Sequence, residues 1–99
     1  MTREETLKAA IQAVLHDRED EYGAIEDNFA VIAAMWAVYV KARCVGGDAS
    51  VSIAPDDVAI MMCLLKIARI TTGEVKADSY VDLAGYAACA AELATGGRE

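Results

Sequence analysis

Two aspartates, Asp78 and Asp82, are the residues whose types and spacing first suggest chemistry in this chain. Residues four apart lie on the same side of an α-helix, because each residue turns the helix by about 100°. The same side of this segment carries Tyr86, Cys89 and Leu93, so it is otherwise apolar. Burying a carboxylate is costly unless a cation, a metal or good hydrogen-bond donors pair with it. The pattern therefore predicts two inward-facing acids that need a partner.

A metal ion is one partner that would suit these acids. Carboxylates on facing helices build the metal sites of helical bundles, and oxygen-only ligands favour Mg²⁺ or Mn²⁺ over zinc. The predicted metal ligands are Asp82, Asp78, Asp57 and Glu26. Such an ion would bridge phosphate oxygens and activate water, while Lys66 or Arg69 neutralises the developing charge. The predicted catalytic residues are Asp82, Asp78 and Lys66.

The same residues also have structural explanations. Asp57 follows Pro55 and suits the positive N-terminal end of a helix, while Lys66 and Arg69 suit a helix C-terminus. Asp78 would then be a helix N-cap, and Asp82 would pair with one of the two cations. Both explanations stay open at the level of the residues alone.

Composition limits the classes of protein. The chain has 99 residues, 56% of them hydrophobic, and a net charge of −7, which indicates one folded domain and argues against a DNA- or RNA-binding protein. Its three cysteines lack metal-type spacing and are expected to be reduced. No signal peptide or membrane-spanning run is found, so we expect a cytoplasmic protein without a membrane partner. No phosphate-loop or nucleophile motif is present.

Hydrophobic periodicity predicts a single all-α domain over residues 1–99, an up-and-down four-helix bundle. The predicted helices cover about residues 2–16, 24–43, 55–70 and 78–95. The first opens with a Thr2–Glu5 capping box, and residues 58–65 are apolar all round, as expected for the central helix of a bundle. Because the core of small side chains is thin, we also expect a homodimer or a larger homo-oligomer.

Several segments together resemble a family of small phage and prophage proteins. They are Arg18-x-x-x-Tyr22-Gly23, Glu26-Asp27-Asn28-Phe29, Asp57-Val-Ala, Met61-Met62, Lys66-Ile-Ala-Arg69 and Asp78-Ser79-x-x-Asp82-x-Ala84-Gly85-Tyr86-Ala87. The resemblance covers nearly the whole chain. That family has no settled function, and its members are described as similar to the MazG-like all-α nucleoside triphosphate pyrophosphatases. The MazG-like group is Mg²⁺-dependent and oligomeric, and it cleaves nucleoside triphosphates to monophosphate and pyrophosphate.

The resemblance to the MazG-like group is partial. Its second acidic motif, Glu-x-x-Asp followed by a tyrosine, is matched by Asp82 and Tyr86, with Asp78 near the place of the preceding acid. Its first motif, Glu-x-x-Glu, is missing, and Lys66-x-x-Arg69 is the only charged pair at that spacing on the third predicted helix.

Three hypotheses follow. The first is a MazG-like, Mg²⁺- or Mn²⁺-dependent nucleotide pyrophosphatase in the host cytoplasm, with substrate-binding residues Arg69, Lys66, Arg18, Asn28, Tyr22 and Tyr86. The second is a bundle that binds a nucleotide or another phosphate-bearing small molecule without hydrolysis. The third is a structural bundle that acts through a protein partner, with Asp82 held in an ion pair.

Overall fold

The structure is a computed structural model that describes residues 1–97, and within this range it contains helices and no strands. The all-helical prediction is confirmed. The first helix comprises α1 (Arg3–Gln12), a π-helical turn (Ala13–Asp17) and α2 (Arg18–Tyr22). It is followed by α3 (Ile25–Arg43), α4 (Pro55–Thr72) and α5 (Ala77–Thr95). Counting the first three segments as one continuous helix, residues 1–97 fold into four helices.

The first helix continues past His16, where the sequence predicted its end. Its start is as predicted: the Glu5 amide donates to the Thr2 hydroxyl at 3.1 Å, and the Glu5 carboxylate accepts from the Thr2 amide at 3.4 Å. Arg18, Glu19 and Glu21 after His16 are good helix formers, and the first residue that breaks the helix is Gly23, whose φ is 80°. The charged segment 17–22 is therefore part of the helix and not a connector.

The core lies where α3, α4 and α5 meet. It is built from Ile25, Phe29, Ala33, Val58, Ala59, Cys89 and Ala90. Phe29 and Val58 are the largest fully buried side chains. On the other side of α5, Gly85 faces the first helix, and a Cβ added there would lie 2.8 Å from Val14 Cγ1. This close approach lets the first helix pack directly on α5.

Helix α4 is not the central, enclosed helix that its composition predicted. One of its sides faces the core through Val58, Ala59 and Cys63, whereas Ile60 and Leu64 on the opposite side are 51% and 59% exposed. The chain folds as an open arrangement in which α5 packs between α1 and α4, and α3 packs on α4. A helix that is apolar all round is therefore covered by its own chain on one side only.

Among the described residues, no single helix is long and apolar enough to cross a membrane, although the bent pair Arg3–Tyr22 and Ile25–Arg43 reaches that length and composition together.

Candidate functional site

Arg18 is the centre of the candidate site. It is the first residue of α2, directly after the π-helical turn, and π turns within helices are frequent at functional sites. Its guanidinium carbon lies 4.6 Å from the ring centre of Phe29 and 5.2 Å from that of Tyr22. Its Nη2 donates to Asn28 Oδ1 at 2.5 Å. The side chain is thus held between two rings and one neutral amide, as the helical spacing of Arg18 and Tyr22 allowed.

The charge of Arg18 has no carboxylate partner among residues 1–97. The ion pairs found there are Lys66–Asp82 and Lys8–Glu4, and Arg18 belongs to neither. Its Nε is buried and has no hydrogen-bond acceptor in the same part of the chain. In a protein of net charge −7, a half-buried cation without a counter-charge is unusual.

A second cation, Lys66, is neutralised. Its Nζ lies 2.9 Å from Asp82 Oδ2, and the two side chains are 13% and 40% exposed. This pair joins α4 to α5, so one of the two partners proposed for Asp82 from sequence is the partner observed. Asp82 is therefore half of a partly exposed ion pair, and its own chain supplies its partner.

Two adjoining clefts meet at Arg18 and Tyr86. The smaller, called the Asp82 cleft here, has a volume of about 130 Å³ and is lined by Ala13, Val14, Arg18, Asp82 and Tyr86. The larger, called the Arg18 cleft here, has a volume of about 220 Å³ and is lined by Arg18, Tyr22, Asn28, Phe29, Ile32, Val58, Met62 and Tyr86. The predicted site residues that line these clefts are Arg18, Tyr22, Asn28, Asp82 and Tyr86. Lys66 adjoins them through its ion pair with Asp82.

The other predicted site residues lie elsewhere. Asp78 is exposed in the first turn of α5, and the N-cap of that helix is Lys76. Asp57 is exposed and accepts a hydrogen bond from the Ala54 amide at 2.9 Å, which is the helix-start role that its position suggested. Glu26 and Arg69 are exposed as well.

The prediction that Asp78 and Asp82 both face inward is therefore wrong. Helical periodicity gives the side of a helix on which a residue lies, but it does not show how far the neighbouring helices extend. Asp78 lies in the first turn of α5, and its side chain is in solvent. The buried residues of α5 are Val81, Gly85, Cys89 and Ala90.

The predicted carboxylates do not fit a metal ion within one chain. Over residues 1–97 no three His, Cys, Asp or Glu side chains are grouped so that they could hold one. Asp82 meets an ammonium group, Asp57 caps a helix, and Glu26 lies at a separate cleft beside Glu92. The magnesium and manganese ligands therefore remain a prediction.

Cys63 and Cys89 are buried free cysteines, and burial favours the neutral thiol. Burial raises the pKa of Cys63 above its ordinary value. Burial also raises the pKa of Cys89, against a smaller lowering by the positive charge of Arg18. Neither thiol therefore has the lowered pKa of a nucleophilic cysteine.

Sequence reasoning missed the apolar wall of the Arg18 cleft. Ile32, Val58 and Met62 have the spacing of core residues, and nothing in their types indicates a cleft. Met62 was part of a segment shared with the phage proteins, which was the one available signal. The π-helical turn that precedes Arg18 left no sequence signal.

Comparison with known proteins identifies the family. Residues 5–94 match DUF6378, a domain of unknown function, and the chain belongs to this family. It is 37% identical over 81 residues to the Gene 55 protein of Mycobacterium phage L5, covering 82% of this chain and 47% of that protein. It is 34% identical over 86 residues to the Gene 55 protein of Mycobacterium phage D29, covering 86% of this chain and 51% of that protein. The chain thus spans about half the length of these relatives.

No solved structure matches the chain. The resemblance to phage proteins without a settled function is confirmed by the family and by the two relatives. The further similarity to MazG-like pyrophosphatases stays a prediction.

Proposed function

We propose that the chain binds a phosphate-bearing small molecule, of the nucleotide class, in the Arg18 cleft. The observation that carries the proposal is the unbalanced charge of Arg18, whose hydrogen bond goes to the neutral amide of Asn28 and whose Nε is buried without an acceptor among residues 1–97. A buried cation is costly unless it is paired, and a guanidinium binds phosphate oxygens through two parallel hydrogen bonds. A bound phosphate would supply the missing counter-charge.

The rest of the cleft favours a ligand with an apolar part as well. Ile32, Met62 and the ring of Tyr86 line the same 220 Å³ space as Arg18 and Asn28. Tyr22 is 55% exposed and lies against the guanidinium, where a base could stack beside it. Anionic and planar groups on one molecule are the features of a nucleotide.

Thermal melting with a ligand panel tests this proposal. Inorganic phosphate, nucleoside monophosphates and nucleoside triphosphates are compared, each with and without Mg²⁺, because a ligand that binds only the folded state raises the melting temperature. We expect a saturable shift with a nucleotide that does not require metal. Arg18→Gln should weaken binding by about tenfold to a hundredfold, since it removes hydrogen bonds to a charged group.

Arg43→Gln is the matched control, because Arg43 is an exposed arginine in the last turn of α3. It should bind the nucleotide as the wild type does. Equal losses in both variants would show that binding follows the overall charge and would refute the site. The absence of any shift across the panel would refute the function.

A second candidate is hydrolysis of a nucleoside triphosphate to monophosphate and pyrophosphate. It is supported by the position of Asp82, whose partly exposed carboxylate lines the Asp82 cleft next to Arg18. Since one chain does not gather the predicted carboxylates, metal ligands would have to come from another copy. Release of pyrophosphate in the presence of Mg²⁺ or Mn²⁺, lost in Asp82→Asn, would favour this candidate over binding alone. Saturable binding without product would exclude it.

A further inference from the structure

The side of α4 that faces away from the core is apolar and in contact with solvent. We define the outer face of α4 by its five large exposed side chains: Ile60 (51%), Met61 (39%), Leu64 (59%), Leu65 (41%) and Ile67 (44%). Ile60, Leu64 and Ile67 follow each other at spacings of four and three, so they form one stripe along the helix. A helix that is apolar all round is normally enclosed on every side.

The chain also exposes more surface than a folded monomer of its size should. Its accessible surface is 6884 Å², whereas the usual scaling for a mass of 10.5 kDa gives about 5,400 Å². Its radius of gyration is 15.0 Å, compared with about 12.6 Å expected for a compact domain of 99 residues. The excess of about 1,500 Å² is summed over the whole chain, and it exceeds the roughly 800 Å² that each partner buries in an interface of standard size.

Charge favours a second copy of this chain as the occupant of this face. The segment 58–65 contains no charged side chain, so two copies can meet there without the repulsion that a net charge of −7 would otherwise impose. The exposed apolar stripe of α1, in contrast, is bordered by Glu4, Lys8 and Glu19. Helix α3 also exposes large apolar side chains within an uncharged segment, four of them: Val31, Met35, Val38 and Tyr39. The outer face of α4 exposes five, with the carboxylate of Asp57 at its N-terminal end, and it is the larger of the two uncharged faces by this count.

From these observations we infer that the outer face of α4 is the contact between two copies of the chain, with α4 packed against α4 about a two-fold axis. Such an interface is self-complementary, because the same patch serves both partners. Leu64 lies in the middle of the stripe and is therefore expected near the axis. The inference is independent of the Arg18 cleft, whose lining residues lie on other surfaces.

Sedimentation equilibrium of matched variants tests the inference. The wild type should have the mass of two chains at micromolar concentration, and Leu64→Glu should have the mass of one. Leu7→Glu is the control, since Leu7 is the same residue type with the same 59% exposure on α1, and it should remain dimeric. Circular dichroism establishes that each variant is folded before its mass is interpreted.

Charge complementation makes the test specific for α4 against α4. Leu64→Lys alone should be monomeric for the same reason as Leu64→Glu, whereas a mixture of the two should dimerise, because opposite charges then face each other across the axis. A monomeric wild type, or a dimer that survives Leu64→Glu, would overturn the inference. Failure of the mixture to dimerise would overturn the α4-to-α4 geometry.

Discussion

Two cations in this molecule, Arg18 and Lys66, are held in opposite ways. Lys66 is 13% exposed and meets the carboxylate of Asp82 at 2.9 Å, so its charge is balanced within the chain. Arg18 is half-buried as well, but its described partners are a neutral amide and two aromatic rings. The positive charge of Lys66 is therefore balanced by a carboxylate, whereas no carboxylate of the described residues balances that of Arg18.

This difference separates a structural ion pair from a binding group. A balanced pair gains little from an added anion, whereas an unbalanced guanidinium gains a counter-charge when a phosphate arrives. Both cations line or adjoin the same pair of clefts, through Arg18 itself and through Asp82. We therefore expect substitution of Arg18 itself to change ligand binding, and substitution of Lys66 or Asp82 to change stability.

The largest expected effect concerns the ring beneath Arg18. Phe29 is 1% exposed, and Phe29→Ala should lower the free energy of unfolding by about 3–5 kcal/mol, because it leaves a cavity in the core. Tyr22 holds the other side of the same guanidinium but is 55% exposed, so Tyr22→Ala should cost no more than about 1 kcal/mol while weakening nucleotide binding. Urea denaturation measures the loss of stability in both variants. Equal losses would contradict the distinction between a buried ring, Phe29, and an exposed ring, Tyr22.

The Lys66 side of the comparison is tested by Asp82→Asn. Removal of this carboxylate leaves a largely buried ammonium unpaired, so we expect a loss of about 1–3 kcal/mol, reduced from the cost of a fully buried pair because Asp82 is 40% exposed. Asp78→Asn is the control and should change stability by less than about 0.5 kcal/mol, since Asp78 is exposed. If Asp82→Asn instead stabilises the protein, crowded acids surround it, as in the metal-site hypothesis.

The two regions also differ in how far the sequence could predict them. The pairing of Asp82 with Lys66 is one of the hypotheses that the sequence supports, because both residues lie on helices with clear apolar spacing. The environment of Arg18 depends on a continued first helix, and the apolar pattern that marks that helix stops at Leu15. A π-helical turn adds a residue to one turn without any characteristic residue type, so the direction of Arg18 was visible only in the fold.

The helices themselves were better predicted than their surroundings. α3, α4 and α5 begin and end within two residues of the predicted limits, because Gly and Pro residues separate strongly periodic segments. The exposure of α4 was not predicted. A pattern that is apolar all round indicates that every side of the helix is buried, but it does not show whether the same chain or another one buries it. The exposure of Asp78 was missed for the same reason: neighbouring elements decide it.

The smallest effect is also the one that most directly tests the contrast between the two cations. Arg18→Met removes an unpaired charge and keeps the apolar stem, so without ligand it should leave stability unchanged or raise it by up to about 1 kcal/mol, while nucleotide binding is lost. Lys66→Met should instead cost a few tenths of a kcal/mol to about 1 kcal/mol, because it removes the partner of a partly exposed carboxylate. Denaturation in phosphate-free buffer measures the change in the free energy of unfolding of each variant, and a nucleotide titration then measures binding. A loss above about 2 kcal/mol in Arg18→Met would mean that the rings and Asn28 already satisfy this cation, and the main argument for a phosphate ligand would then be removed.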